Sequence, residues 1–472
     1  QQVSRAPRNS RRIGGVVSLS YAEFLDHKTH VGAAHGFDPS FMPDLLFPFQ
    51  ESLVEWATLK GRSAIFADCG LGKTLMQLAW AQNVLQKTGK PILILTPLAV
   101  AFQTVKEGGK IDLEVNHRRE GIKSGDGLVV TNYERLHYFD RNDYAGVVCD
   151  ESSILKNFDG KRKAEVTEFM RKMPYRLLCT ATAAPNDYIE LGTSSEALGE
   201  MGFADVLSKF FKKVQKTYTR RDEHQGGVYR FRGHAERDFW RWVCSWARAM
   251  RKPSDFGFSN DGFSLPELTT REHIVEARTK AEGMLFDLPA TNLHEQRAEL
   301  RRTINERCEM AADLCNAHKE SAIAWCHLND EGKTLAHMID GAINVQGSDS
   351  EERKEEVFKG FAAGDVRVVV SKPTIAGFGL NWQHCAHMTF FPSHSYEQFY
   401  QAVRRCWRFG QDKPVTVDVI STEGQAGVLA NLKRKTEAAE RMFEHLVSLM
   451  RDELKITAIN EHTKKEKVPA WL

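Results

Sequence analysis

The chain has 472 residues, 42% of them hydrophobic and 27% charged, which describes a globular protein too long for a single hydrophobic core. Its 64 basic residues nearly balance 62 acidic ones, a net charge of +2, so the chain is no polycation and any nucleic-acid contact must come from local patches. Nine cysteines without a C-x-x-C pair argue for reduced, buried thiols in a cytosol-like compartment rather than a disulfide framework, and no run approaches the ~18 apolar residues of a membrane span.

Residues 1–40 read as a basic arm and lead-in, with Arg5, Arg8, Arg11 and Arg12 ahead of a short apolar stretch that soon meets Glu23, Asp26 and Lys28. Gln1 is not an initiating Met, so the native start is expected elsewhere. From 41 to 195 short apolar runs alternate with longer helical patterns: Ala64, Ile65 and Phe66, then Ile92–Thr96, 127–131, 146–149 and 176–179. That rhythm predicts a parallel sheet with helices on both faces. It breaks over 196–315, which reads as a mostly helical insertion. Within 209–252 there are 13 Lys or Arg against four acids, interleaved with Tyr218, Tyr229, Phe231, Phe239, Trp240, Trp242 and Trp246. Two readings stand: a surface that neutralises phosphates, or a helical core of aromatics whose outer face carries the bases. The strand rhythm returns over 316–425 at 321–326, Ala342–Val345, 366–371, 388–391 and 415–420, a second α/β lobe. The tail, 426–472, reads as an amphipathic helix packed on that second lobe. His384, Cys385 and His387 lack a second ligand pair at zinc spacing and read as structural.

The chemistry begins where the run Ala64–Phe66 gives way to Ala67, Asp68, Cys69, Gly70, Leu71, Gly72, Lys73 and Thr74. A glycine-rich turn from strand to helix lets successive backbone N–H groups converge on phosphates at a positive helix end. Lys73 would reach β- and γ-phosphates, and the Thr74 hydroxyl would ligate Mg²⁺. Ala67 stands where the strict pattern has glycine. Downstream, the apolar run Val147, Val148, Cys149 ends in two adjacent carboxylates. Asp150 would hold Mg²⁺ through its water shell, and Glu151 would orient the attacking water. In the second lobe Arg405 and Arg408 lie three apart on one helix face, placed to bring positive charge to the γ-phosphate when two domains close.

Together these residues resemble a superfamily-2 helicase motor, and most closely the Swi/Snf branch of DNA translocases, including compact versions in phages and bacteria. Q-A-x-x-R-x-x-R-x-G-Q stands intact at 401–411. Pro48, Phe49 and Gln50 resemble the adenine-recognising Q-motif region, and Thr96, Pro97 and Leu98 the first DNA-contacting motif. Val130, Thr131, Asn132 and Tyr133 resemble another such motif. Asp150 to Asn157 is similar to DEAHxxKN. Thr180, Ala181 and Thr182, with Asn186, Glu190 and Leu191, resemble TGTPxxNxxxEL, and Gly377 to Asn381 the motif V core. Trp246 to Lys252, followed by Leu265 and Pro266, looks like the branch's LRR…LP element. The resemblance departs at Ser153 (usually His), Ala181 (Gly), Ala183 (Pro) and Lys372 to Thr374, positions concerned with coupling rather than with phosphate chemistry.

The resemblance implies an α/β fold of two RecA-like parallel-sheet lobes with a mostly helical insertion between them and a C-terminal helix. ATP would sit in the cleft with Mg²⁺ on Thr74 and Asp150. Gln50, residues 68–74, Gly379 and Gln401 would bind nucleotide. Lys73, Asp150, Glu151, Arg405 and Arg408 would carry the reaction. Pro97, Thr131, Asn132, Lys156, Asn157, Thr182 and Asn381 would contact nucleic acid. The expected activity is an ATP-driven translocase on duplex DNA, working as a monomer in the cytoplasm (nucleoid or host cytoplasm) without membrane. Two alternatives remain. One is a strand-separating helicase on forked DNA or RNA, with the aromatics of 239–246 as its wedge. The other is a nucleotide-dependent clamp on single-stranded DNA, duplex or RNA with little turnover.

Overall fold

The computed structural model describes residues 34–97, 100–156, 160–184, 188–214, 228–278, 293–376 and 381–465. The basic arm over 1–33, Leu98, Asn157, Asn186, Tyr218 and Gly379 lie outside the described residues.

Strands form where β-branched and apolar residues run short and dense. They are β1 (Arg62–Ala67), β2 (Ile92–Thr96), β3 (Val115–His117), β4 (Leu128–Asn132), β5 (Gly146–Asp150) and β6 (Tyr175–Cys179). After them come β7 (Phe211–Val214), β8 (Val228–Phe231), β9 (Ala247–Met250), β10 (Leu268–Val275), β11 (Ala322–Trp325), β12 (Ala342–Val345), β13 (Val368–Ser371), β14 (His387–Phe390) and β15 (Val415–Thr422). Lobe 1 is a seven-stranded sheet in the order β3-β4-β2-β5-β6-β1-β9, and lobe 2 a six-stranded sheet in the order β10-β15-β14-β11-β13-β12. All neighbours in both are parallel, whereas β7 and β8 form a small antiparallel pair.

Parallel strands must be covered on both faces, and alternate side chains do this. In lobe 1 Phe66, Leu93, Leu95, Val147 and Cys149 join one core with Trp240 and Trp246. Ile65, Ile92, Ile94, Val148 and Leu177 join the other with Phe49, Val54 and Trp80. Lobe 2 repeats the device, with Ile323, Trp325, Val369 and Met388 on one side and Ala322, Ala324, Val368 and Val370 on the other. All nine cysteines are buried free thiols.

The region 196–315 is less separate than its sequence suggests. β9 is the edge strand of the lobe 1 sheet, beside β1. β10 pairs along its full length with β15 as the edge of the lobe 2 sheet. β10 carries Arg271, Glu272 and His273 and is largely solvent-facing, as suits an edge, so it shows no apolar run. Of the two readings of 209–252, the core reading holds for the described residues: Phe239, Trp240, Trp242 and Trp246 are buried on the helix Ala235–Trp246, while Arg237 and Arg241 face out. The expectation of an exposed aromatic wedge is therefore corrected, because the spacing of these rings turns them onto Phe210 and Phe211.

The C-terminal helix Ala426–Lys465 also departs from expectation, since it spans both lobes. Leu429, Leu432 and Ala439 enter the lobe 2 core, and Leu446 and Met450 the lobe 1 core. Arg251 Nη1 meets Glu444 Oε1 at 3.3 Å. Among the described residues no helix is long and apolar enough to cross a membrane.

Lobe 2 is braced by a fully buried ion pair, Arg307 Nη1 to Glu331 Oε1 at 2.7 Å. Glu331 Oε2 accepts the N–H groups of His327 and Leu328 at 2.8 and 2.9 Å, fixing the start of the helix Asn329–Met338. Glu331→Ala leaves a buried guanidinium without its carboxylate and is expected to destabilise lobe 2 by about 3–5 kcal/mol, read as a lower urea midpoint. An unchanged midpoint would contradict this.

Candidate active site between the lobes

β1 ends at Ala67, and the helix Lys73–Thr88 begins six residues later. Gly70 and Gly72 hold φ of +89° and +74°, the left-handed region that glycine enters without strain. A Cβ on Gly72 would lie 2.2 Å from Gln50 Nε2, and one on Gly70 3.0 Å from the Phe409 ring. Gln50 is buried, donating from Nε2 to Leu71 O and accepting Phe47 N–H at Oε1, both at 2.9 Å. It thus ties the phosphate loop to the helix Pro48–Lys60. Lys73 Nζ donates to Ala67 O at 2.9 Å and Asp68 O at 3.2 Å.

At the end of β5, Gln77 Nε2 donates to Asp150 Oδ1 at 2.7 Å, and the Tyr133 hydroxyl to Asp150 O at 2.5 Å. Burial first, and then the charge of Glu151, push the Asp150 pKa from 3.8 up to about 6. Glu151 is a non-glycine residue at φ +51°, a sparsely populated conformation that persists only where its surroundings enforce it. Thr180 Oγ1 donates to Glu151 Oε2 at 3.4 Å, and Thr182 N–H to Thr180 Oγ1 at 3.1 Å. Thr182 Oγ1 and Gln401 Nε2 both reach Glu397 Oε1 at 3.5 Å. A polar chain thus runs from Glu151 in lobe 1 to Gln401 in lobe 2. Ser153 Oγ turns back to Glu151 O at 3.3 Å and takes no part in that crossing.

Lobe 2 presents the helix Tyr396–Val403 and the turn after it. Arg405 Nε donates to Gln401 O at 3.0 Å, and Arg408 Nη1 to Asn381 Oδ1. Their neighbour Arg404 reaches the glycine loop of lobe 1, its Nη2 pairing with Asp68 Oδ2; the Tyr400 hydroxyl donates to Asp68 Oδ1. Sequence reading passed over Arg404 because it fills a free position of Q-A-x-x-R. A signal was present, since Tyr400 and Arg404 are four apart and share a helix face. Phe409 joins the lobe 1 core, its ring 5.4 Å from Phe263.

A cleft of about 1210 Å³ opens between the lobes, and Pro97, Asn132, Glu151, Asn381 and Glu397 line it together with Lys106, Lys110, Lys354 and Lys359. Three of the expected nucleic-acid residues thus share one groove. Thr131 does not join them: strand alternation turns it inward, fully buried, one residue before Asn132. Thr182 stands in the polar chain, and Lys156 ends the turn Ser152–Lys156. Arg119 Nη2 bridges the lobes to Glu351 Oε2 at 3.3 Å.

Thr74 and Asp150 offer hard oxygen donors, and no cluster of three or more His, Cys, Asp or Glu among the described residues could cage a metal alone. That fits Mg²⁺, which takes one or two protein ligands and completes its shell with waters and substrate phosphates. The buried, up-shifted Asp150 carboxylate suits a neighbouring cation.

No family model and no curated protein matches the chain. It is similar to a Sulfolobus solfataricus SWI2/SNF2 ATPase core in complex with dsDNA, at 16% identity over 87% of this chain and 98% of that one, with a TM-score of 0.40. It is also similar to S. cerevisiae Dbp5 bound to RNA and ADP BeF3, at 11% identity over 85% of this chain and 98% of that one, with a TM-score of 0.51. The likeness is one of fold: the chain has a two-lobed, RecA-like α/β fold.

Because its folded pKa is raised, ionised Asp150 opposes folding at neutral pH, by on the order of 3 kcal/mol for a displacement from 3.8 to about 6. That opposition fades as pH falls through 6 and is gone near the unfolded value. Asp150→Asn is therefore expected to raise Tm at pH 7.5 and to raise it less at pH 5. A lower Tm at pH 7.5 would contradict the sign.

Proposed function

We propose that the protein is an ATP-driven motor that tracks along duplex DNA. Two observations carry this reading together: the loop after β1 meets the arginine-bearing turn of lobe 2 through Asp68 and Arg404, and Glu151, Pro97, Asn132 and Asn381 line one cleft between the lobes. Lys73 binds the β- and γ-phosphates, and Thr74 and Asp150 hold Mg²⁺, which when bound draws charge from those phosphates. Glu151 orients the attacking water, and Arg405 and Arg408 neutralise charge that develops on the γ-phosphate. Gln50 and Gln401 frame the nucleotide from either lobe. Alternating closure and opening would pass the backbone of the duplex from one lobe to the other. The protein acts as a monomer in the cytoplasm.

Two observations weigh against the other readings. The rings of 239–246 are core, which removes the wedge that unwinding would use and favours translocation. The chain Glu151–Thr180–Thr182–Glu397–Gln401 offers a route for coupling hydrolysis to lobe movement despite Ser153, which favours a motor over a clamp. The likeness to Dbp5, described as bound to RNA, keeps RNA as the alternative track.

ATP turnover is expected to be low alone, to rise with duplex DNA more than with single-stranded DNA or RNA, and to fall by on the order of 100-fold or more in Lys73→Ala. Turnover indifferent to every nucleic acid would sink the motor. Displacement of a third strand from a blunt duplex, without strand separation at a fork, is the outcome expected of a translocase; the reverse would favour a helicase. Glu151→Gln is expected to hold ATP and DNA together without turnover, and a variant that hydrolyses normally would remove Glu151 from its role.

A further inference from the structure

Asp68 is the second residue of the phosphate loop, at a position where the loop pattern accepts any side chain. Its carboxylate is nonetheless enclosed, the residue only 5% exposed, by donors from both lobes. Oδ1 takes the Cys69 N–H at 2.6 Å and the Tyr400 hydroxyl, and Oδ2 takes Arg404 Nη2. Arg404 is equally buried. Its guanidinium lies 4.4 Å from the Trp407 ring centroid and 5.3 Å from that of Tyr400, and its Nη1 donates to Trp407 O at 3.3 Å. Burial disfavours its charge, and the carboxylate of Asp68 more than restores it, so its pKa is raised. Within the same turn Arg405 bonds Gln401 O and Arg408 bonds Asn381, both in lobe 2. Arg404 and Tyr400 thus give this segment polar contacts to the phosphate loop, and Phe409 packed on Gly70 supplies an apolar one.

We propose that Asp68, Tyr400 and Arg404 form a docking lock that registers the arginine segment of lobe 2 on the phosphate loop, with Arg404 and Tyr400 as positioning residues for Arg405 and Arg408. The lock also reaches Lys73, since the ammonium holds the main-chain carbonyls of Ala67 and Asp68. A movement of lobe 2 that pulls on the Asp68 side chain is transmitted to the carbonyls that Lys73 grips. Geometry favours arginine: the guanidinium gives Nη2 to Asp68 and Nη1 to Trp407 O while lying by the Trp407 ring, which a lysine's single ammonium would not reproduce. Only the kinetic consequence rests on the motor reading; the docking itself does not.

The test places spin labels on Lys90→Cys in lobe 1 and Lys413→Cys in lobe 2, both exposed positions, in a protein whose native thiols are all buried. The full chain is expected to give one narrow interlobe distance. Arg404→Gln and Tyr400→Phe, which removes only a hydroxyl, should lengthen and broaden it, and Arg404→Lys should fall between. The double variant Asp68→Asn/Arg404→Gln should be no broader than the worse single, because both changes break one contact. In Arg404→Gln, kcat for ATP should fall on the order of 10- to 100-fold, while the affinity for a fluorescent ATP analogue changes little. Superimposable distances in wild type, Arg404→Gln and Tyr400→Phe overturn the lock, and so do additive effects in the double variant. A wild type without nucleic-acid-stimulated turnover overturns the motor and leaves the distance comparison to decide the lock.

Discussion

In both large sheets every hydrogen-bonded neighbour runs parallel, so all strands of a lobe finish at one edge and the chain must return by helices packed on the faces. That constraint assembles the site. The phosphate loop follows β1, Pro97 follows β2, Asn132 ends β4, Asp150 ends β5 and Thr182 comes just after β6. None needs to be near another in sequence, because the sheet delivers each of them to the same edge. The turn with Arg404 to Phe409 follows the helix Tyr396–Val403, ahead of β15, and meets the loop after β1 through Asp68.

Several of the polar groups where the lobes meet are buried, and this carries local costs. Asp150 ionises reluctantly in its place, and Glu151 holds a left-handed backbone. A core selected for stability alone would have neither. The Arg404–Asp68 pair belongs with them, since two charges taken from water hold well as a pair and poorly apart. The C-terminal helix sets its own limit, because its apolar side chains enter both cores and any change of interlobe angle must carry it along.

Strands were legible in the sequence where apolar residues run short and dense. Ile92–Thr96 in the middle of the lobe 1 sheet and Ala342–Val345 at an edge of the lobe 2 sheet both have the bounds that the structure gives. β9 escaped because it is four residues long and follows the helix Ala235–Trp246 directly, and β10 because Arg271, Glu272 and His273 interrupt any apolar run. Lys73, Asp150 and Glu151 were singled out by motif spacing, and Asn381 by the resemblance. Arg404 was not, since a pattern records fixed letters and passes over free ones, and its partner Asp68 lies more than 300 positions away. Thr131 and Asn132 stand together in the motif, whereas a strand sends adjacent residues to opposite faces, and only Asn132 lines the cleft. The double anchorage of the last helix depends on where lobe 1 sits, which no local pattern encodes.

The central claim is that one nucleotide is held by residues of both lobes. A structure of the protein with a non-hydrolysable ATP analogue, Mg²⁺ and duplex DNA tests it most directly. The account predicts the γ-phosphate at about 3 Å from Lys73 and from Arg405 or Arg408, with the DNA backbone along Pro97, Asn132 and Asn381. Phosphates bound by lobe 1 alone, with both arginines still turned into lobe 2, would contradict it.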